Sequence, residues 1–148
     1  MTIKRLHHVS VVVVVEDLQA AIAFFSELGL EKEGEAALEG EWVERLNGIE
    51  SVQVDVVMMR TPDGHRHLEL RKFRNPKVVE IEPASAAPNT LGLRSVMFTV
   101  ESVEESVARM CAHFGVELVG EVAQYETIRV LLPAVLHAGF RGHHRSAG

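Results

Sequence analysis

The segment His8–Leu30, HVSVVVVVEDLQAAIAFFSELGL, decides the fold that we expect for this chain. Its valine run is too rich in β-branched side chains to favour a helix, and it predicts a strand over Val9–Val15. Asp17 follows as a candidate helix N-cap, and apolar residues then recur at helical spacing up to Leu28. Gly29 supplies a typical helix stop. The segment therefore predicts a strand followed by an amphipathic helix.

The same order of signals returns in the second half of the chain. Leu93–Val100 predicts a strand, and Ser102–Phe114 predicts a helix that Gly115 ends. A further strand follows at Val116–Val122, as Glu31–Leu38 follows the first helix. This internal similarity indicates a repeated strand–helix unit.

The remaining strands complete a first module of the order βαβββ. Residues 61–64 (TPDG) form a strong turn signal between two strand patterns. Residues 40–48, between the second and third predicted strands of the module, predict a loop or a short helix. The strands predicted in this region are Glu31–Leu38, Ser51–Met59 and His65–Phe73.

The fold class that follows is α+β, with two βαβββ modules forming a concave mixed sheet that has its helices outside. The modules occupy residues 1–74 and 92–148, and residues 75–91 form a linker that is rich in proline and small residues. Thr127–Leu132 predicts another strand of the second module. Ala134–Gly148 shows no sheet-like alternation, so we expect the second module to be incomplete or altered at its C-terminal end.

Composition excludes several classes of partner. The chain of 148 residues has a formal net charge of -6, which does not favour nucleic acid or an anionic membrane surface. Its one cysteine, Cys111, cannot form an internal disulfide. No apolar run approaches the roughly 20 residues that a membrane-spanning helix needs. We therefore expect a cytoplasmic protein that binds neither nucleic acid nor membrane.

Strand alternation predicts a polar face. His67, Glu69 and Arg71 share one face of their strand, because side chains alternate between the two faces. Gln53 and Asp55 lie on the mixed face of the neighbouring strand. If these mixed faces converge, they line a concave polar surface suited to a small-molecule ligand.

Several motifs together resemble the vicinal oxygen chelate superfamily of glyoxalases, extradiol dioxygenases and bleomycin- or fosfomycin-resistance proteins. They are the His8-Val9 strand start, the Glu16-Asp17-Leu18 helix cap, the Leu68-Glu69-Leu70 strand, and the segments RTPDGH (60–65) and LGLRSVMF (91–98). The resemblance covers about residues 5–129 and is strongest to a bacterial glyoxalase-like branch. It implies the paired-module fold, whereas the reaction varies widely among proteins of one fold.

The resemblance also implies a divalent metal (Zn, Fe, Mn, Ni or Mg) that binds two substrate oxygens. Residue by residue, it assigns first-module ligands to His8 and Glu69. Ser95, a poor ligand, stands where the second module would supply a histidine, and no closing carboxylate is recognisable. His67, on the same face as Glu69, is a candidate replacement ligand.

Each candidate residue also has a structural interpretation. Glu69 is either a ligand and catalytic carboxylate that moves protons or a structural carboxylate paired with Arg71. Trp42 is either a pocket wall or a buried packing residue. The predicted substrate pocket comprises Gln53, Asp55, Arg71, Ser95, Met97 and Trp42.

Three functions remain open from the sequence. The first is a metal-dependent lyase, isomerase or dioxygenase that binds a small molecule in the cup. The second is a metal-free binding or resistance protein that sequesters a small molecule, and Ser95 favours it. The third is an inactive remnant that has lost its closing strand. The resemblance further implies a homodimer.

Overall fold

The computed structural model describes residues 2–13, 17–79, 89, 91–92 and 95–116. The chain divides into two compact units. The described residues up to Val79 belong to the first unit, and those from position 89 onward belong to the second.

The first unit has the predicted βαβββ order, and the segment predicted as a loop or a short helix forms a short helix. Its strand β1 and helix α1 come from the segment that opens the sequence, and the hairpin strands β3 and β4 flank the TPDG turn. The elements are β1 (His8–Val13), α1 (Leu18–Glu27), β2 (Glu31–Glu39), α2 (Glu41–Asn47), β3 (Gln53–Arg60) and β4 (His67–Asn75).

These strands form one sheet in the order β1-β4-β3-β2. Strand β1 runs parallel to β4, and the other neighbouring pairs are antiparallel. The register sets His8 beside His67 and Ser10 beside Glu69. Residues that are far apart in the chain are thereby brought together at the start of β4.

One face of the sheet is the core that α1 covers. Met59 and Leu70 are fully buried there, and α1, which contacts β4 and β2, contributes buried Ala21 and Phe24. Each large side chain buried in this way stabilises the fold by roughly 1.5–3 kcal/mol. The alternation of the strands turns Glu69 to the opposite face.

Helix α2 packs on that opposite face. Its Val43 is fully buried with Val54, and Leu38 and Phe73 pack against the same cluster. Leu38, Val54 and Phe73 are register partners, so α2 lies over the end of the sheet where β4 finishes. His67 and Glu69 lie toward the other end of the same strand.

In the second unit the structure confirms the predicted helix. Helix α3 (Val103–Phe114) begins after Ser102, whose hydroxyl accepts a hydrogen bond from the backbone N–H of Glu105, and Gly115 ends it. By contrast, the Asp17 side chain makes no hydrogen bond to the start of α1, contrary to the expected capping role.

Residues 95–100 are described, and they belong to no strand. The strand predicted over Leu93–Val100 is therefore wrong for these positions, because an apolar alternation forms a strand only where another strand pairs with it. The later predictions, Val116–Val122, Thr127–Leu132 and the altered end at Ala134–Gly148, fall outside the described residues, apart from Val116. No described helix is long and apolar enough to cross a bilayer.

Candidate functional site

Glu69 is the centre of the candidate site. It is a buried carboxylate, 8% exposed, on the face of β4 opposite α1. Its Oε1 atom accepts hydrogen bonds from the Ser10 hydroxyl at 2.9 Å and from Nε of Arg71. Its Oε2 atom lies 3.9 Å from Nε2 of His8, beyond hydrogen-bonding distance. The two carboxylate oxygens therefore have different surroundings. Oε1 accepts hydrogen bonds from protein groups, whereas Oε2 faces the imidazole of His8 without a hydrogen bond to it.

The surroundings of Glu69 keep it ionised at neutral pH. Burial is the largest single influence and by itself raises the pKa of Glu69. The hydrogen bonds from Arg71 and Ser10 and the nearby charges of Arg71 and His8 oppose it, and together they hold the pKa below its ordinary value. Glu69 is consequently an anion that is already solvated by protein groups.

Arg71 is held in place from the other side by α2. Its NH1 group donates to Oδ1 of Asn47 at 3.2 Å, and Nδ2 of Asn47 donates to the backbone carbonyl of Val43 at 2.9 Å. Val43 is itself buried in the cluster under the helix. The packing of α2 therefore orients the guanidinium that contacts Glu69.

Three histidines meet beside Glu69. The Nδ1 atoms of His7 and His8 lie 2.8 Å apart, so one ring donates a hydrogen bond to the other. The His7 ring also stacks on His67, with ring centroids 5.5 Å apart and planes 18° from parallel. His67 directs Nε2 at Oε2 of Glu33, 3.0 Å away. This partner engages one of the two ring nitrogens of His67.

The donor groups of the described residues do not match those that the implied metal needs. These residues contain no group of three or more His, Cys, Asp or Glu side chains placed to hold an ion, so His8, Glu69 and His67 do not form a three-ligand site. His8 and Glu69 alone face each other, and Arg71 already places a positive charge on the carboxylate. A divalent cation would therefore meet two ligands and a repelling guanidinium, which does not fit a metal held by this unit alone.

The expectation that Asp55 shares the face of Glu69 needs correction. Asp55 pairs in register with Lys72, which places it on the opposite face from Glu69. Its carboxylate is engaged there by Nε of Arg74 at 3.0 Å and by Nζ of Lys72 at 3.6 Å. Gln53 pairs with Asn75, at the end of β4 remote from Glu69. The error arose because the register between β3 and β4 cannot be read from the alternation of one strand.

The other predicted pocket residues have separate positions. Trp42 lies on α2 and is 58% exposed, which excludes the buried packing interpretation. Ser95 and Met97 belong to the second unit, and both are exposed. Arg71 contacts Glu69, as the structural interpretation of that carboxylate predicted.

Sequence reasoning missed Ser10, Asn47 and His7 as members of the site. Ser10 carried a usable signal, because it alternates with His8 on the polar face of β1. Asn47 carried none, since its role depends on how α2 crosses the sheet.

A model of the Glyoxalase/Bleomycin resistance protein/Dioxygenase superfamily matches residues 7–131. The chain belongs to this superfamily. The match extends over most of the chain and confirms the resemblance seen in its motifs.

Solved structures agree with this membership. A glyoxalase family protein from Bacillus cereus is 47% identical, with a TM-score of 0.78 over 85% of this chain and 82% of that one. The protein SMU.1112c is 23% identical, with a TM-score of 0.53 over 86% of each chain, and is similar in fold alone. A comparison with curated proteins found no match. Membership of the glyoxalase superfamily thus establishes the fold and not the reaction, because proteins of one fold catalyse many different reactions.

Proposed function

We propose that this glyoxalase superfamily protein binds a small molecule at Oε2 of Glu69, and that Arg71 supplies the positive charge which a metal ion would otherwise provide. The ligand presents a neutral hydrogen-bond donor, such as an amide or a hydroxyl group. Its donor hydrogen meets the ionised carboxylate, giving a charge-assisted hydrogen bond.

The observation that carries this proposal is the unequal use of the two carboxylate oxygens. Oε1 is engaged by Ser10 and Arg71, whereas Oε2 makes no hydrogen bond within the described part of the chain. A polar atom seated about 2.8 Å from both Oε2 and Nε2 of His8 would bridge their 3.9 Å separation. The site is therefore matched to one donor–acceptor group of a ligand.

The direction of the Glu69 pKa favours binding over proton transfer. A general base works best when its pKa lies near the working pH. The hydrogen bonds from Arg71 and Ser10 move the pKa of Glu69 away from that range. Glu69 is thus better suited to holding a ligand than to removing a proton from it.

A second candidate function keeps the metal. Metal–ligand bonds to imidazole and carboxylate are about 2.0–2.2 Å long, so one ion can contact both His8 and Glu69 across 3.9 Å. When bound, such an ion would polarise the substrate oxygens as a Lewis acid. The His8–Glu69 separation supports this candidate.

Binding of benzamide in the presence and absence of EDTA tests the proposal. Elemental analysis of protein purified without chelator gives the metal content, and NMR titration gives the affinity for benzamide. We expect substoichiometric metal and an affinity that EDTA leaves unchanged. Stoichiometric metal together with loss of benzamide binding in EDTA would establish the second candidate instead.

Two matched variants assign the binding to Glu69. The substitution Glu69→Gln removes the charge at nearly constant shape, and we expect it to weaken benzamide binding at least tenfold. Glu35→Gln is the control, because Glu35 is an exposed carboxylate of β2 that pairs with Lys32. Equal affinity of both variants and wild type would refute Glu69 as the binding group.

A further inference from the structure

The guanidinium group of Arg71 has partners at two of its three nitrogens. Nε donates a hydrogen bond to Oε1 of Glu69, and NH1 donates one to Oδ1 of Asn47 at 3.2 Å. NH2 donates no hydrogen bond within the described part of the chain. One nitrogen of a guanidinium that already contacts Glu69 is therefore left for a ligand.

NH2 of Arg71 and Oε2 of Glu69 are both accessible to solvent. Among the described residues that are not exposed, Nε of Arg60 is the one fully buried side-chain nitrogen or oxygen that lacks a hydrogen-bond partner. Since NH2 of Arg71 and Oε2 of Glu69 also lack a partner in this part of the chain, neither of them is fully buried. A donor and an acceptor of the same ion pair thus both reach the surface.

The direction of NH2 is fixed by the other contacts of Arg71. Nδ2 of Asn47 donates to the backbone carbonyl of Val43 at 2.9 Å, which keeps Oδ1 of the amide turned toward Arg71. With Nε bound to Glu69 and NH1 bound to Asn47, the planar guanidinium has one orientation. A ligand that accepts a hydrogen bond from NH2 does not have to order this side chain, which favours its binding.

NH2 of Arg71 and Oε2 of Glu69 lie on either side of one hydrogen bond. NH2 shares the guanidinium carbon with Nε, Oε2 shares the carboxyl carbon with Oε1, and Nε donates to Oε1. A single small group can therefore contact both atoms. It has to accept a hydrogen bond from NH2 and donate one to Oε2, and a carboxamide does this through its oxygen and its N–H.

From this arrangement we propose that NH2 of Arg71 binds the carbonyl oxygen of the ligand whose donor group binds Oε2 of Glu69. The ligand class is then a neutral compound with a carbonyl oxygen next to an N–H donor, such as a primary carboxamide or a lactam. A carboxylate does not fit, because it has no donor for Oε2 and its charge is repelled by Glu69. This inference rests on the proposed function and specifies the ligand of the same site.

Three probes of similar shape separate the two contacts in NMR titrations. Acetophenone has the carbonyl oxygen of benzamide without its N–H groups, whereas thiobenzamide has the N–H groups and a weakly accepting sulfur in place of the oxygen. We expect wild-type protein to bind benzamide about tenfold more tightly than either, because each of them loses a hydrogen bond to a charged group. This comparison needs no substitution in the protein.

Substitutions then assign each preference to one residue. Arg71→Lys keeps a positive charge beside Glu69 and removes the planar donor group. We expect it to abolish the preference for benzamide over thiobenzamide and to keep the preference over acetophenone. Glu69→Gln should reduce the preference over acetophenone and keep the one over thiobenzamide. Arg45→Lys is the control, because Arg45 forms an exposed ion pair with Glu41 on α2, and it should change neither preference.

The outcomes distinguish the Arg71 contact from the proposed function. If wild type prefers benzamide over acetophenone and not over thiobenzamide, the Arg71 contact is wrong and binding at Glu69 stands. If it prefers benzamide over thiobenzamide and not over acetophenone, the proposed function at Glu69 fails, whereas the carbonyl contact of Arg71 stands. An equal loss of affinity for all three probes in Arg71→Lys would overturn the contact between Arg71 and the ligand. Benzoate that binds more tightly than benzamide would overturn the neutral ligand class.

Discussion

Oε2 of Glu69 lies 3.9 Å from Nε2 of His8 on the neighbouring parallel strand. The gap is too wide for a direct hydrogen bond and suits one bridging atom. The other oxygen of Glu69 is already satisfied by Ser10 and Arg71. A bound group therefore meets a carboxylate that is charged, held in place by Ser10 and Arg71, and free to accept a hydrogen bond at one of its two oxygens.

The lowered pKa of Glu69 predicts acid destabilisation. Because the folded-state pKa lies below the unfolded value of about 4.3, this group stabilises the fold above that value, and the contribution is lost as the pH falls through the folded pKa. Chemical denaturation between pH 7 and pH 3 should show a shallower acid loss of unfolding free energy in Glu69→Gln than in wild type. Identical pH profiles would contradict the assigned ion pair.

Arg71→Met should lower the unfolding free energy, because it leaves the Glu69 carboxylate without its positively charged partner. Removing one partner of a buried pair leaves an uncompensated charge, and for this partly buried pair we expect a loss of roughly 2–3 kcal/mol in unfolding free energy at pH 7. The loss should shrink as the pH falls and Glu69 becomes protonated. Lys32→Met, in the exposed ion pair with Glu35, is the control, and we expect it to change the unfolding free energy little.

The Arg71→Met substitution also tests the claim that Arg71 takes the place of a metal. Without the guanidinium, the affinity of His8 and Glu69 for Zn²⁺ should rise, because the repulsion between two cations is removed. Calorimetric titration of Zn²⁺ into Arg71→Met and wild type measures this difference. An unchanged or lower zinc affinity in the variant would show that Arg71 does not compete with a cation.

Much of the first unit was predictable because its signals are local. The valine run, the helical spacing of Leu18 to Leu28 and the TPDG turn each act within a few residues, and the structure has the predicted elements there. The predicted strand at residues 95–100 failed because strand formation depends on a partner that local pattern does not contain.

Substitution of Gly48 tests whether the glycine that ends α2 is needed for its backbone conformation. It ends α2 in the left-handed region at φ 66°, with open space around the position of a Cβ atom. Gly48→Ala should therefore destabilise the fold by about 1 kcal/mol through backbone strain alone. Gly34→Ala, in a strand with equally open space and no positive φ, should have little effect or a slightly stabilising one. Thermal or chemical denaturation compares the two.

The site was less predictable than the fold, because it depends on register and on helix placement. His8 and Glu69 were assigned to one site by the resemblance alone, and the structure places their side chains 3.9 Å apart. Asp55 was misplaced because the register of β3 against β4 turns it to the other face. The hydrogen bond from Arg71 to Asn47 depends on how α2 packs across the sheet. The periodicity of apolar residues along the chain does not determine that packing.

Val43 connects the core to the site. It is fully buried beneath α2, one turn before Asn47. Val43→Ala should cost about 2 kcal/mol in unfolding free energy and loosen the helix that orients Arg71. Tryptophan emission and benzamide affinity should both change, whereas the exposed control Val79→Ala should change neither. Lost stability with unaltered benzamide affinity would separate α2 from the site.

The most direct test of the central claim is the carbon-13 NMR signal of the Glu69 carboxyl group during a benzamide titration in EDTA. The signal is assigned by its absence in Glu69→Gln. Binding at Oε2 without metal predicts a shift of this signal that saturates with the benzamide occupancy. A Glu69 signal that stays fixed while benzamide binds, or that moves only when Zn²⁺ is added, would contradict the account.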